Sequence, residues 1–198
     1  MVNNLFATPV YFNQIDNKVH SKLKKDVEEY IKENSDLFNT NQWRCNTQTN
    51  IFCDEKRKFF PDYLEQLIAH NTSRYIAEAD FLPQEFVIED CWMTIGGEGA
   101  YQEVHDHLDS SNSTSGFSGV LYVTSNPVSG GELVIQSPID ILAKLLPESD
   151  NGSLQPDTMV KPKEGLMVSF PSWVKHGSYP YRDKNKKRIS ISWNIDFE

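Results

Sequence analysis

The chain has 198 residues, 38% of them hydrophobic and 12% aromatic, which is enough to fill an apolar core without staples. Its formal charge of −9 denies it the overall basic footprint of a nucleic-acid binder. Three cysteines (Cys45, Cys53 and Cys91) without a Cys-x-x-Cys spacing argue against a disulfide framework and a structural zinc. No apolar run approaches the roughly 20 residues of a membrane span. The opening Met-Val-Asn-Asn-Leu-Phe is not a signal peptide, so a cytoplasmic chain with neither membrane nor nucleic-acid partner is expected.

Leu5 to Phe12 reads as an edge strand broken by Pro9. Asp16 is a candidate N-cap for a helix in which Val19, Leu23, Val27 and Ile31 recur every four residues. Asn34 to Asn50 is polar and turn-rich and reads as a loop, with Trp43 as a core anchor. Pro61 suits the first turn of a second helix, whose buried stripe would be Tyr63, Leu64, Leu67, Ile68 and Tyr75. From Phe86 the period changes to that of strands. Phe86 to Ile95 is a long one, and Gly96-Gly97-Glu98-Gly99 turns the chain into a strand carrying His105, His107 and Asp109. After the Ser110–Gly116 loop, strands follow at Ser118 to Thr124, Glu132 to Gln136, Thr158 to Lys161, Leu166 to Phe170, Val174 to Tyr179 and Lys187 to Ile195. Ile139 to Leu146 is a short helix or an irregular connection, and Glu148 to Gln155 is a loop. About eight short strands at regular spacing suggest a sandwich, barrel or jelly roll. The expectation is one mainly β domain over 1–198, with a two-helix support in 1–85 and a jelly-roll core in 86–198.

The chemistry concentrates in Tyr101 to Val123. Side chains two apart on a strand point the same way, so His107 and Asp109 aim an imidazole and a carboxylate into one space. Two such ligands and a distant histidine make the two-His, one-carboxylate set that holds Fe(II) and leaves positions open. His20 and His70 fall in helical stretches, whereas His176 follows an apolar strand and a turn. A lone His-x-Asp pair is a weak signal for a metal site; the ordered set of His-x-Asp, strand, Gly-Gly, strand, His and Arg-x-Ser is far more specific. In the last strand Ile189, Ile191, Trp193 and Ile195 take one face, and Arg188, Ser190, Ser192 and Asn194 take the other. That polar face either meets water or lines a cavity, and the nearby His176 favours the cavity. Arg188 could then hold a carboxylate through two parallel charged hydrogen bonds, with Ser190 donating to the same group. The basic cluster from Arg182 to Arg188 otherwise reads as a solvated hairpin. One alternative stays open, because His105 shares the face of His107, and His105, His107 and His176 together would form a three-His, cupin-like site.

Several stretches carry a resemblance: His105-Asp106-His107-Leu108-Asp109, Ser118 to Val123, Gly130-Gly131-Glu132-Leu133, Glu164 to Trp173, His176, and Arg188 to Asn194. Together they resemble the Fe(II)/2-oxoglutarate-dependent oxygenases, in particular the small prolyl-hydroxylase-like branch of bacteria and phages. The resemblance implies a double-stranded β-helix with iron on His107, Asp109 and His176. It also implies 2-oxoglutarate held by Arg188, Ser190 and Tyr122, and O₂ as oxidant. The reaction implied is hydroxylation of a C–H bond in a peptidyl or small-molecule substrate, with succinate and CO₂ released. A cupin-type enzyme without 2-oxoglutarate and a non-catalytic jelly-roll binding module are the competing functions.

Overall fold

The computed structural model describes residues 7–38, 40–42, 44–48, 51, 62–108, 116–138 and 157–197. The elements run β1 (Tyr11–Gln14), α1 (Asn17–Glu33), β2 (Thr40–Gln42), β3 (Cys45–Gln48), α2 (Asp62–Glu78), β4 (Phe86–Gly96), β5 (Gln102–His105) and β6 (Phe117–Thr124). They continue with β7 (Leu133–Gln136), β8 (Asp157–Val160), β9 (Leu166–Pro171), β10 (His176–Ser178) and β11 (Arg188–Phe197). The strands form two antiparallel sheets, a larger one ordered β1-β9-β6-β11-β4-β3-β2 and a smaller one ordered β5-β10-β7-β8. This is the mainly β jelly roll with two helices that the strand pattern predicts.

Alternation along the strands creates two cores. Leu121 and Val123 of β6, Met167 of β9, and Ile189, Ile191, Trp193 and Ile195 of β11 join Leu23 and Val27 of α1 and Leu64, Ile68 and Tyr75 of α2. Val120, Tyr122, Val168 and Phe170 point the other way and pack with Leu133, Ile135 and Val160 of the smaller sheet. The helices therefore cover one face of the larger sheet, and the smaller sheet covers the other.

Asp16 caps α1 as expected, its carboxylate accepting from the Lys18 and Val19 amides at 2.7 and 3.4 Å. The buried stripe of α1 is Leu23, Val27 and Tyr30, while Val19 is 36% exposed and Ile31 only partly covered. A repeat of four drifts about 40° per step around a helix of 3.6 residues per turn, so the ends of the expected stripe fall off the face. In α2 the fully buried Asn71 donates to Ser169 Oγ of β9 at 2.9 Å and accepts from Asn13 Nδ2 of β1 at 3.1 Å. The Tyr75 hydroxyl donates to the Pro9 carbonyl at 2.8 Å. These bonds pin the N-terminal strand to helix and sheet.

Two expectations are corrected here. The first strand begins at Tyr11, not Leu5, although it is an edge strand as read, and 1–6 lie outside the described residues. The supposed loop from Asn34 to Asn50 holds a 3₁₀ turn (Ser35–Leu37) and the β2–β3 hairpin, which extends the larger sheet by pairing β3 with β4. Ladder bonds between backbones need no apolar alternation, so this polar hairpin left no period to read. Trp43, Pro61 and the stretch 139–155 lie outside the described residues.

Candidate active site

The polar face of β11 turns toward the smaller sheet. Arg188, Ser190 and Ser192 line a cavity of about 340 Å³ between the sheets, opposite His176 and Ser178 of β10 and Leu133 of β7. Trp92 and Thr94 of β4 and Tyr122 of β6 complete the wall on the larger sheet.

Three histidines enter this space. His105 ends β5 and sits directly across the ladder from His176. His107 lies beyond the strand end, where its amide donates to the Ser172 carbonyl at 3.0 Å. The chain turns there because Asp106 Oδ1 accepts the Leu108 amide at 3.2 Å, an Asx turn that competes with the ladder. The expected single strand carrying both His107 and Asp109 therefore stops at His105. Even so, one ring nitrogen from each of His105, His107 and His176 lies within 4.8 Å of the others. Asp109 lies outside the described residues.

The rings have distinct surroundings. His176 Nδ1 donates to the Val174 carbonyl at 2.8 Å, which leaves Nε2 with a free lone pair. Burial, helped by repulsion from His105 and His107, pushes its pKa down to about 3. Burial and His105 lower His107 to about 4, against a small opposing pull from Asp106. Both rings are thus neutral near pH 7, the protonation state that binds a metal. His107 stacks on His176 at 5.1 Å and on Trp92 at 5.9 Å between centroids. His105 has both nitrogens engaged, Nδ1 with the Glu103 carbonyl at 2.8 Å and Nε2 with Gln102 Nε2 at 3.3 Å.

Arg188 sits at the far side of the cavity, only 5% exposed. Nη1 donates to the Gly131 carbonyl at 2.9 Å and Nη2 to Ser178 Oγ at 3.3 Å. Gly131 has φ +76, and a Cβ there would stand 3.0 Å from both Nη1 and the Tyr181 ring, so only glycine lets the guanidinium through. No carboxylate belongs to the described residues that line the cavity. A buried cation with neutral partners is costly unless an anion joins it. Burial raises the Tyr122 phenol to about 12 while Arg188 pulls it back, which places that hydroxyl in the same field. Ser190, 7% exposed, stands on the same wall. A cavity that holds neutral imidazoles and a guanidinium with no carboxylate partner among the described residues fits a cationic metal and a dicarboxylate.

Of the residues expected at the site, the structure brings His107, His176, Arg188, Ser190 and Tyr122 to one cavity. The sequence pattern missed Ser178, although that residue stands one strand-step from His176 on the same face. It also missed the Gly131 carbonyl, which no side-chain pattern announces, and Cys45, brought in by the unforeseen hairpin.

The sequence model of the family described as "Putative 2OG-Fe(II) oxygenase" matches residues 90–194, more than half of the chain. The chain belongs to the 2OG-Fe(II) oxygenases. The oxygenase is accordingly an enzyme that uses Fe(II), 2-oxoglutarate and O₂. Its fold is similar to that of a Pseudomonas putida prolyl-4-hydroxylase, with a TM-score of 0.68 at 16% identity over 96% of this chain and 94% of that one. A viral collagen prolyl hydroxylase from Paramecium Bursaria Chlorella virus-1, solved with 2OG, gives 0.57 at 14% over 93% and 95%. EctD from S. alaskensis, solved with 2-oxoglutarate and 5-hydroxyectoine, gives 0.67 at 13% over 96% and 72%. No curated protein matches the sequence. No helix among the oxygenase's described residues is long and apolar enough to cross a membrane.

Proposed function

We propose that the oxygenase holds Fe(II) through His107, Asp109 and His176, holds 2-oxoglutarate through Arg188, Ser190 and Tyr122, and hydroxylates a C–H bond of a peptidyl or small-molecule substrate. The observation that carries this reading is Arg188, a buried guanidinium with neutral partners sharing one cavity with the histidines. Iron(II) with bound 2-oxoglutarate and O₂ supplies the oxidising chemistry, releasing succinate and CO₂. The chain supplies position and dryness. His176 offers Nε2 because its Nδ1 is tied to Val174. Arg188 grips the distal carboxylate, and Ser190 and Tyr122 add hydroxyl donors. Val120, Leu133 and Phe170 keep water from the walls between them. His105, with both nitrogens engaged, serves beside the metal rather than on it.

A prolyl residue in a peptide is one candidate substrate, supported by the two prolyl hydroxylases above; the 5-hydroxyectoine in EctD supports a small molecule equally. The whole of 1–198 acts as one domain and works in the cytoplasm, in keeping with the free thiols of Cys45 and Cys91.

Succinate release from 2-oxoglutarate, measured with Fe(II) across panels of peptides, free amino acids and lysate, tests the reading. His107→Ala and Asp109→Ala abolish it, and N-oxalylglycine inhibits it. Product should gain one oxygen in mass. Undiminished turnover in both variants rejects the iron site. Loss in His105→Ala with full activity in Asp109→Ala would install the three-His set instead, which the convergence of those rings also allows.

A further inference from the structure

Resting on the reading of His107 as an iron ligand, we infer that Asn194 is a positioning residue that sets the His107 tautomer before metal arrives, with Ser118 and Ser172 locking it. Asn194 is 6% exposed and lies beyond the cavity-lining part of β11. Pairing of β11 with β4 shifts register between Asn194 and Ile195, the kind of irregularity that re-aims a side chain. As placed, Asn194 Nδ2 stands 3.2 Å from His107 Nδ1. Its Oδ1 accepts from the Ser118 hydroxyl at 2.9 Å, and Ser118 Oγ lies 2.9 Å from Ser172 Oγ. Ser118 and Ser172 are 2% and 0% exposed. Ser172 also receives the His107 backbone amide on its carbonyl, so it holds that residue through main chain and side chain together.

A neutral imidazole carries one N–H, and which nitrogen keeps it is decided by the partner of the other. In the placed orientation Asn194 Nδ2 donates to Nδ1, so the proton sits on Nε2, which then has no lone pair to offer a metal. A half-turn of the amide keeps its shape and reverses every bond. Nδ1–H then donates to Asn194 Oδ1, Asn194 Nδ2 donates to Ser118 Oγ, and the Ser118 hydroxyl donates to Ser172 Oγ. Hydroxyls rotate freely to suit either direction, so all the distances serve. Only the second direction bares Nε2 for a metal. His176 reaches the same state by a different device, its Nδ1–H fixed on the Val174 carbonyl. Asn194 therefore does for His107 what backbone does for His176.

Long-range ¹H–¹⁵N NMR of the histidine rings in the metal-free protein, together with Co(II) titration, decides the matter. The wild-type His107 is expected as the Nδ1–H tautomer without metal. Asn194→Ala should return it to the Nε2–H form favoured in water and weaken Co(II) binding about 10- to 100-fold. Asn194→Asp, which can only accept, should preserve both tautomer and affinity. An Nε2–H tautomer in the metal-free wild type overturns the inference without any variant. So does an Asn194→Ala protein with unchanged tautomer and unchanged Co(II) affinity. His107→Ala separates the two layers: if it keeps full Co(II) affinity, the ligand assignment itself fails, whereas if it loses affinity and Asn194→Ala does not, only the role of Asn194 fails.

Discussion

Arg188 concentrates the energetics of the site in one side chain. Its guanidinium donates to the Gly131 carbonyl and to Ser178 Oγ and also bonds the Cys45 thiol, all of them neutral groups. Truncating one partner of a buried charged pair costs about 2–5 kcal/mol, so Arg188→Ala should raise the 2-oxoglutarate requirement at least about 30-fold. Steady-state kinetics with 2-oxoglutarate varied would show this as a change in KM larger than that in kcat; an unchanged KM places the carboxylate elsewhere. Arg188→Lys should recover only part, since one ammonium cannot span the carbonyl, the hydroxyl and a carboxylate together. Arg188 and Ser190 were legible because a strand puts i and i+2 on one face. The choice of cavity over water for that face could not come from the strand alone and leaned on the nearby His176, since it depends on whether a second sheet stands opposite.

Among the elements, β11 is the one the rest enclose, flanked by β4 and β6 along nearly its full length. Trp193 on its helix-side face lies flat over Gly119 of β6, where a Cβ would come within 2.3 Å of the indole. Gly119→Ala should therefore destabilise by about 1–3 kcal/mol, read by urea unfolding, because overpacking forces ring or strand to shift. A cost near zero would mean that the ring has room to move aside. Glu164 joins other elements: its carboxylate takes Lys24 of α1 at 3.2 Å and Lys186 before β11 at 2.6 Å, with the Ser125 amide at 3.3 Å. Burial opposes its charge, but these three contacts together hold its pKa below the usual value. A depressed carboxylate stabilises the fold above its unfolded pKa of about 4.3 and loses that contribution as pH falls through the lower folded value. Glu164→Gln should cost about 1–2 kcal/mol at pH 7 and converge with wild type at acid pH. Unfolding curves for the pair between pH 3 and 7 check this; a gap that widens on acidification contradicts the assignment. The lysine-rich turn that read as a solvated hairpin thus has two members in ion pairs, Lys186 with Glu164 and the exposed Lys184 with Glu98, and a third, Arg188, on the cavity wall.

Across the whole molecule, the candidate ligands sit on different layers. His176 belongs to the smaller sheet and His107 to the segment leaving it, while Arg188, Ser190 and Tyr122 belong to the larger one. A metal with 2-oxoglutarate would tie the two sheets together and stabilise the fold by mass action. At a hundredfold excess over Kd the gain is about 2.7 kcal/mol, visible as a rise in Tm. Mn(II) alone should give part of that rise, and Mn(II) with 2-oxoglutarate the whole. EDTA should remove both, and Arg188→Ala should forfeit only the 2-oxoglutarate increment. Equal rises in wild type and Arg188→Ala would detach that residue from the co-substrate.

Two-residue alternation and the chain order of a histidine cluster, a glycine pair, a later histidine and an arginine already determined most of the strands, the jelly roll and which residues to look for in one cavity. These signals are local, because side-chain direction follows from backbone geometry alone. Tertiary structure decided which faces meet. It brought His105 against His176 through the β5–β10 ladder, added the polar β2–β3 hairpin to an open edge, and set Asn194 behind His107 from a distant strand. Those contacts depend on sheet order and register, which no single stretch of sequence encodes.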